Sequence, residues 1–143
     1  MGYRNLNVDQ LIALKIHGVT GEYIRQIRAA GLQPTPDELM AFRIHHVTAD
    51  YINELKQTGL RNLKAQDLVA LRIHGAETAW IRQIQALGYA NLSVDNIVAL
   101  RIHGVTPEFI RDAQSHGLKD LSIDKLIQLK QLGILKTSAI TFI

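Results

Sequence analysis

The sequence predicts an all-α protein, an α-solenoid of stacked short αα-hairpins. Three observations carry this prediction. First, one block recurs: "ALKIHGVTGEYIRQ" begins at Ala13, "AFRIHHVTADYINE" at Ala41, "ALRIHGAETAWIRQ" at Ala70 and "ALRIHGVTPEFIRD" at Ala99. Second, its histidines, His17, His45, His74 and His103, are spaced by 28, 29 and 29 residues. Third, a glycine before an apolar residue repeats with the same spacings, at Gly31, Gly59, Gly88 and Gly117. A fixed period of this length is the signature of a repeat architecture. The units are 7–34, 35–63, 64–92 and 93–121, followed by a degenerate C-terminal cap over 122–143, all within a single repeat domain spanning 1–143.

Each unit reads as two helices with recognisable starts and stops. In the first, Asn7 caps a helix over 8–17 that ends at Gly18, and Thr20 caps a second over 21–30 that ends at Gly31. The second unit has Thr35 before 36–45 and Thr48 before 49–58, stopped by Gly59. Its start follows "GLQPT", one residue shorter than "GLRNLK", which accounts for the shorter first spacing. The third unit departs, with Lys64 and Glu77 at the cap positions of 65–74 and 78–87, so its boundaries are the least defined; Gly75 and Gly88 mark its stops. In the fourth, Ser93 precedes 94–103, with Asp95 in the first turn and Gly104 at the end. Thr106 then caps 107–116, with Pro107 at the first helical position, Glu108 behind it and Gly117 closing. Ser122 opens a last helix over 123–132.

The two helices of a unit differ in pattern. At 100° per residue, Val94, Ile97, Val98, Leu100 and Ile102 spread over about half of the first helix. The second has a narrower stripe of Phe109, Ile110 and Ala113, opposite Glu108, Arg111, Asp112 and Gln114. The first helices are therefore expected to be the better buried layer and the second to face more solvent. Helices of about ten residues are marginal alone in water, and stacking is what buries their faces. Layers about 8–10 Å apart predict a rod about 40 Å long.

The opening "GYRNLNVDQL" matches "GYANLSVDNI" from Gly88, so the chain is expected to begin inside a repeat, as a piece of a longer array or one cut at a unit boundary. At the other end Leu132 replaces the histidine, and Ile134, Leu135, Ile140, Phe142 and Ile143 are expected to cover the last layer.

Composition narrows the function classes. Apolar residues make up 47% and charged residues 20%, a globular profile, and the formal charge of +3 is too small to argue for nucleic acid by itself. Without cysteine there is no disulfide and no thiolate metal site. No apolar run approaches the roughly 20 residues of a membrane span, and the polar start does not resemble a signal peptide.

The repeated block carries the candidate sites. A metal needs ligand nitrogens within about 2.1 Å of one ion, whereas equivalent histidines of a stack lie about one layer apart, so His17, His45, His74 and His103 are expected to tend the last-turn carbonyls of their helices. His45 and His46 are adjacent, and neighbouring helical positions diverge by about 100°. The basic position, Lys15, Arg43, Arg72, Arg101 and Lys130, falls within the apolar arc. A cation there must snorkel or find acceptors, which predicts a partly buried ladder onto Glu22, Asp50 and Glu108 or onto cap carbonyls of a neighbouring layer. The rival is an exposed basic stripe for an acidic partner. Tyr23, Tyr51, Trp80 and Phe109, each beside an isoleucine, read as core. There is no nucleophile–base pair, phosphate loop or carboxylate dyad; no catalysis, metal or cofactor is expected.

The pattern L-x-A-L-R-I-H-G-V-T-P-E-F-I-R, with G-L/Y-x-N-L-S-x-D between units, resembles tandem repeats in the C-terminal parts of bacterial BlaR/MecR-type membrane sensor metallopeptidases. The resemblance runs from Gly2 to about Ile134 and implies an accessory, interaction-bearing repeat segment, extracytoplasmic if the host is an envelope protein. The H-E-x-x-H peptidase signature is absent, so no protease activity carries over. Locally, "IHGVTPEFI" resembles the hairpin of helix-hairpin-helix nucleic-acid modules, which hold phosphate through backbone N–H groups around two glycines. Thr20, Thr48, Glu77 and Thr106 replace the second glycine and His46 the first, which counts against that use.

The expected function is a non-catalytic scaffold for protein–protein interaction or spacing within a larger bacterial protein. Its expected contact residues lie on the second helices: Arg25, Arg28, Asn53, Lys56, Arg82, Gln85, Arg111 and Gln114. The alternatives are nucleic-acid binding through the hairpins and a purely structural or consensus-like array.

Overall fold

The computed structural model of the chain describes residues 6–133, and these hold nine α-helices and no strand. They are α1 Val8–Ile16, α2 Gly21–Ala29, α3 Pro36–Ile44, α4 Ala49–Gln57, α5 Ala65–Ile73, α6 Thr78–Ala86, α7 Val94–Ile102, α8 Pro107–Ser115 and α9 Ile123–Gln131. Residues 134–143, including the proposed capping residues Ile134 to Ile143, lie outside the described residues, as does the opening of the chain. The chain divides into two compact units, Met1–Ile73 and His74–Ile143. In the first, α1 packs on α3, α3 on α5 and α2 on α4. In the second, α6 packs on α8 and α7 on α9. Within each unit, like helices stack on like, as an α-solenoid requires.

The starts follow the cap residues. Thr20, Thr48 and Thr106 accept from the amides of Tyr23, Tyr51 and Phe109 at 3.0, 3.1 and 3.0 Å. Asn7 with Gln10, Thr35 with Glu38 and Ser93 with Asn96 form reciprocal capping boxes. The third repeat keeps both helices with poorer caps. Asp67 accepts from the Lys64 amide at 2.9 Å, which is half of a box, and Glu77 makes no side-chain capping bond.

The turns of the first, second and fourth hairpins are Schellman motifs. The Gly18 amide donates to the Lys15 carbonyl at 3.1 Å, and the Val19 amide donates to the Leu14 carbonyl at 2.8 Å. Val47 and Val105 repeat the second bond to Phe42 and Leu100, at 2.8 and 2.9 Å. These motifs bring their apolar residues inward: Val47 and Val105 are buried and Val19 is half-buried, and Ala76 at the equivalent place in the third repeat is buried too.

The burial pattern corrects one expectation. The second helices are the better buried: α4 buries Tyr51, Ile52 and Leu55, and α8 buries Pro107, Phe109, Ile110 and Ala113. By contrast α3 buries Leu39 and Phe42, α5 Leu68 and Leu71, and α7 Ile97 and Leu100. Half the circumference of a first helix is apolar, but in α3, α5 and α7 only the fourth and seventh positions are buried. The first, fifth and ninth positions lie about 60–170° away on the helical wheel. There Val94 and Val98 are half-buried and Ile102 is exposed.

The weakest start yields a direct test. Glu77→Thr supplies the hydroxyl acceptor that α2, α4 and α8 already use, and should raise unfolding free energy by about 1 kcal/mol. Urea denaturation followed by circular dichroism measures this; an unchanged midpoint would mean that α6 gains nothing from a cap.

Candidate functional site

The repeated Arg-His-Gly block is a joint between successive repeats. Arg43 Nε donates to the His17 carbonyl at 3.4 Å, Arg72 Nε to the His46 carbonyl at 2.9 Å and Arg101 Nε to the His74 carbonyl at 2.9 Å. These oxygens stand at helix C-termini, where intrahelical donors run out and the dipole is negative. The same three arginines, and Lys130 with them, lie over aromatic rings of the preceding repeat. Arg43 is 5.0 Å from the Tyr23 centroid, Arg72 3.7 Å from Tyr51, Arg101 5.2 Å from Trp80 and Lys130 5.3 Å from Phe109. Each ring thus has its edge in the core and its face under a cation.

This arrangement refines the ladder anticipated from sequence. Its acceptors are carbonyls, while Glu22 and Glu108 pair within their own helices with Arg25 and Arg111, at 2.9 and 3.2 Å. Arg25 also holds the Glu22 carboxyl below its ordinary range. The ladder is shallower than expected: Lys15, Arg43, Arg101 and Lys130 are exposed and Arg72 is half-buried. The aliphatic stems span from the helix to the hairpin below, so the charged heads reach the carbonyls at the rim of the stack.

A glycine at the joint is favoured on two counts. Gly75 has φ of +69°, and a Cβ there would stand 2.9 Å from Arg101 Nη2. The second repeat has His46 at this position, also left-handed at φ 62°. There the arginine bonds the carbonyl of His46 itself, and Arg72 sits closest of the four cations to its ring.

The histidine side chains do something other than expected. Among the described residues, none of the imidazoles of His17, His45, His74 and His103 reaches a helix-terminal carbonyl; His103 Nδ1 meets Gln131 Nε2 at 3.4 Å. The backbone of the segment is the working part. On the second helices, His116 Nδ1 lies 2.9 Å from the Asp112 carbonyl, in the role anticipated for the others. Among the described residues, no group of three or more His, Asp or Glu side chains could hold a metal ion, and no helix is long and apolar enough to cross a membrane.

A second joint, not foreseen from sequence, runs along the second helices. Lys56 Nζ donates to the Ala30 carbonyl at the end of α2, and Gln114 Nε2 donates to the Leu87 carbonyl at the end of α6 at 2.8 Å. Of the eight residues expected to face a partner, Lys56 and Gln114 are therefore committed to the stack, and Arg25 and Arg111 to local ion pairs. Arg28, Arg82 and Gln85 are engaged as well, and Asn53 is exposed. The sequence signal for this joint was a Lys or Gln recurring at the same place in units two to four.

Tyrosine hydroxyls bridge in the opposite direction. Tyr23 Oη donates to the Val47 carbonyl of the next repeat and Tyr89 Oη to the Leu121 carbonyl at 2.7 Å. Trp80 takes the place of Tyr23 in the third repeat, and its Nε1–H is buried with no acceptor among the described residues.

Two predictions follow from these joints. Arg72→Met keeps the apolar stem but removes both the donor and the ring-facing charge; it should cost about 1–2 kcal/mol in urea unfolding, and no loss would remove the joint from the stability of the stack. Burial pushes the Tyr23 hydroxyl up to about 12, opposed by the charge of Arg43. Burial also raises Tyr89, and Asp120 adds to it. The folded state keeps protons that the unfolded chain releases, so this stability is complete below about pH 10 and is lost as pH rises towards 12. Tyr23→Phe should flatten that fall between pH 10 and 12, leaving the share due to Tyr89; an unchanged profile would refute the assignment.

No family model, curated protein or solved structure matches the chain, so the joints and surfaces above are what bears on its role.

Proposed function

We propose that the chain is a non-catalytic repeat scaffold for protein–protein interaction, carried within a larger bacterial protein. The observation that favours interaction over mere spacing is a row of exposed aliphatic residues on the first helices. Ile16, Ile44 and Ile73 of the first compact unit are 73%, 52% and 56% exposed, and Ile102 of the second is 57% exposed. All occupy the ninth position, directly after the basic residue of the block. In α9 the ninth position is the polar Gln131, so a helix of the stack forms without an aliphatic residue there. Recurrent exposed aliphatics marked off by polar neighbours are characteristic of contact surfaces. The contact face thereby moves from the second helices, where most of the expected residues are engaged, to the first.

The same geometry weighs against the nucleic-acid alternative. In the first repeat the hairpin amides of Gly18 and Val19 already donate to Lys15 and Leu14 carbonyls, and the arginines of later joints to carbonyls and rings. Little of the block remains to meet phosphate.

Affinity capture with cross-linking, comparing the wild-type chain with the I16K/I44K/I73K variant, tests the reading. A partner recovered by the wild type and at least tenfold depleted by the variant is expected, with folding checked by circular dichroism. If nothing recovered depends on the three isoleucines, that face is not a binding surface.

A further inference from the structure

We propose that the cleft beside Lys56 and Arg61 binds an acidic peptide segment, seating a carboxylate between the two cations and an aliphatic side chain on the floor behind them. This rests on the protein-interaction reading and names the chemistry of one partner contact.

The cleft opens where the end of α2 meets α4 and the loop after it, and it holds about 540 Å³, within the roughly 300–1,000 Å³ of small-ligand sites. Ile52 and Leu60 are buried beneath it and Leu63 is half-buried at its side. Lys56 and Arg61 line it, and among the described residues no carboxylate does. The Lys56 ammonium gives one of its three protons to the Ala30 carbonyl, which fixes the head at the cleft and leaves two donors.

The second compact unit contains the same cleft with different charge. It holds about 500 Å³ and is lined by Gln114, Lys119, Asp120 and Leu121 at the places of Lys56, Arg61, Asn62 and Leu63. The backbone is conserved between them: Asn62 and Asp120 have φ of 56° and 59°. The joint is conserved too, since Gln114 bonds the Leu87 carbonyl as Lys56 bonds that of Ala30. A neutral amide therefore suffices for stacking. The first cleft carries two positive charges, whereas in the second Lys119 is offset by Asp120. The excess charge of the first is not demanded by the fold, and in an apolar recess it favours an anionic group with an aliphatic body.

A titration of the full chain, read by backbone amide chemical shifts, tests this with acetyl-Glu-Leu-Glu-Leu-amide as the probe. Gly31, Leu32, Leu60 and Asn62 should shift, while Gly88, Tyr89 and Asp120 should not. K56Q copies the second cleft's own residue and so keeps the joint; it should weaken binding about fivefold, and K56Q/R61Q should bring the response to background. Q114K/D120N should create a response in the second cleft. Equal shifts with the glutamine analogue of the peptide, an undiminished response in K56Q/R61Q, or saturation by hexanoate without any response to the peptide would each overturn the proposal. The I44K variant should bind the probe normally, so failure of the cleft and failure of the isoleucine face are separable.

Discussion

The structure depends on how short helices satisfy their final carbonyls. A nine-residue helix leaves its last four C=O groups without intrahelical donors, which is a large share of its backbone. It is also too short to be stable alone. The Schellman turns answer some of these groups, and long side chains from the next repeat answer others. This places a demand on sequence at two positions per unit. The side chain must have a stem long enough to cross between layers and a donor at its end, which arginine, lysine and glutamine provide. The demand then spreads to neighbours: glycine at the joint makes room for the guanidinium, and an aromatic ring of the preceding repeat receives its face.

Much of this was legible in the sequence because the information is local and repeated. The caps at Thr20, Thr48 and Thr106, the stops at Gly18 and Gly104, and the four hairpins all rest on residues within a few positions of their effects. The relative burial of the two helices was not legible. The wheel counts Ile102 and Ile97 alike, but only packing geometry decides that one meets a neighbour and the other water. The acceptors of the basic row were legible only as a choice, since Arg101 and His74 are 27 residues apart and a carbonyl leaves no mark in a sequence. The pairing of cation and ring needed the register between repeats. Lys56 and Gln114 read as variable surface residues because lysine and glutamine look unlike until both are seen bonding a helix end.

The joints also divide the polar surface into what the stack uses and what it leaves over. In the basic row, which most resembles a binding stripe, the three arginines are occupied by carbonyls and rings and Lys130 by a ring. Surplus features lie elsewhere: isoleucines turned to solvent on the first helices, and a pair of cations in a cleft whose counterpart manages without them. A repeat array can vary such surplus residues one unit at a time while its framework stays constant. The two clefts illustrate this, since they share one backbone and differ in charge.

The latch donors run in one direction. Arg43, Lys56, Arg72, Arg101 and Gln114 all reach back to carbonyls made 26 or 27 residues earlier. For these five bonds the acceptor is therefore synthesised before the donor that reaches it, whereas the tyrosine bridges from Tyr23 and Tyr89 have the reverse order.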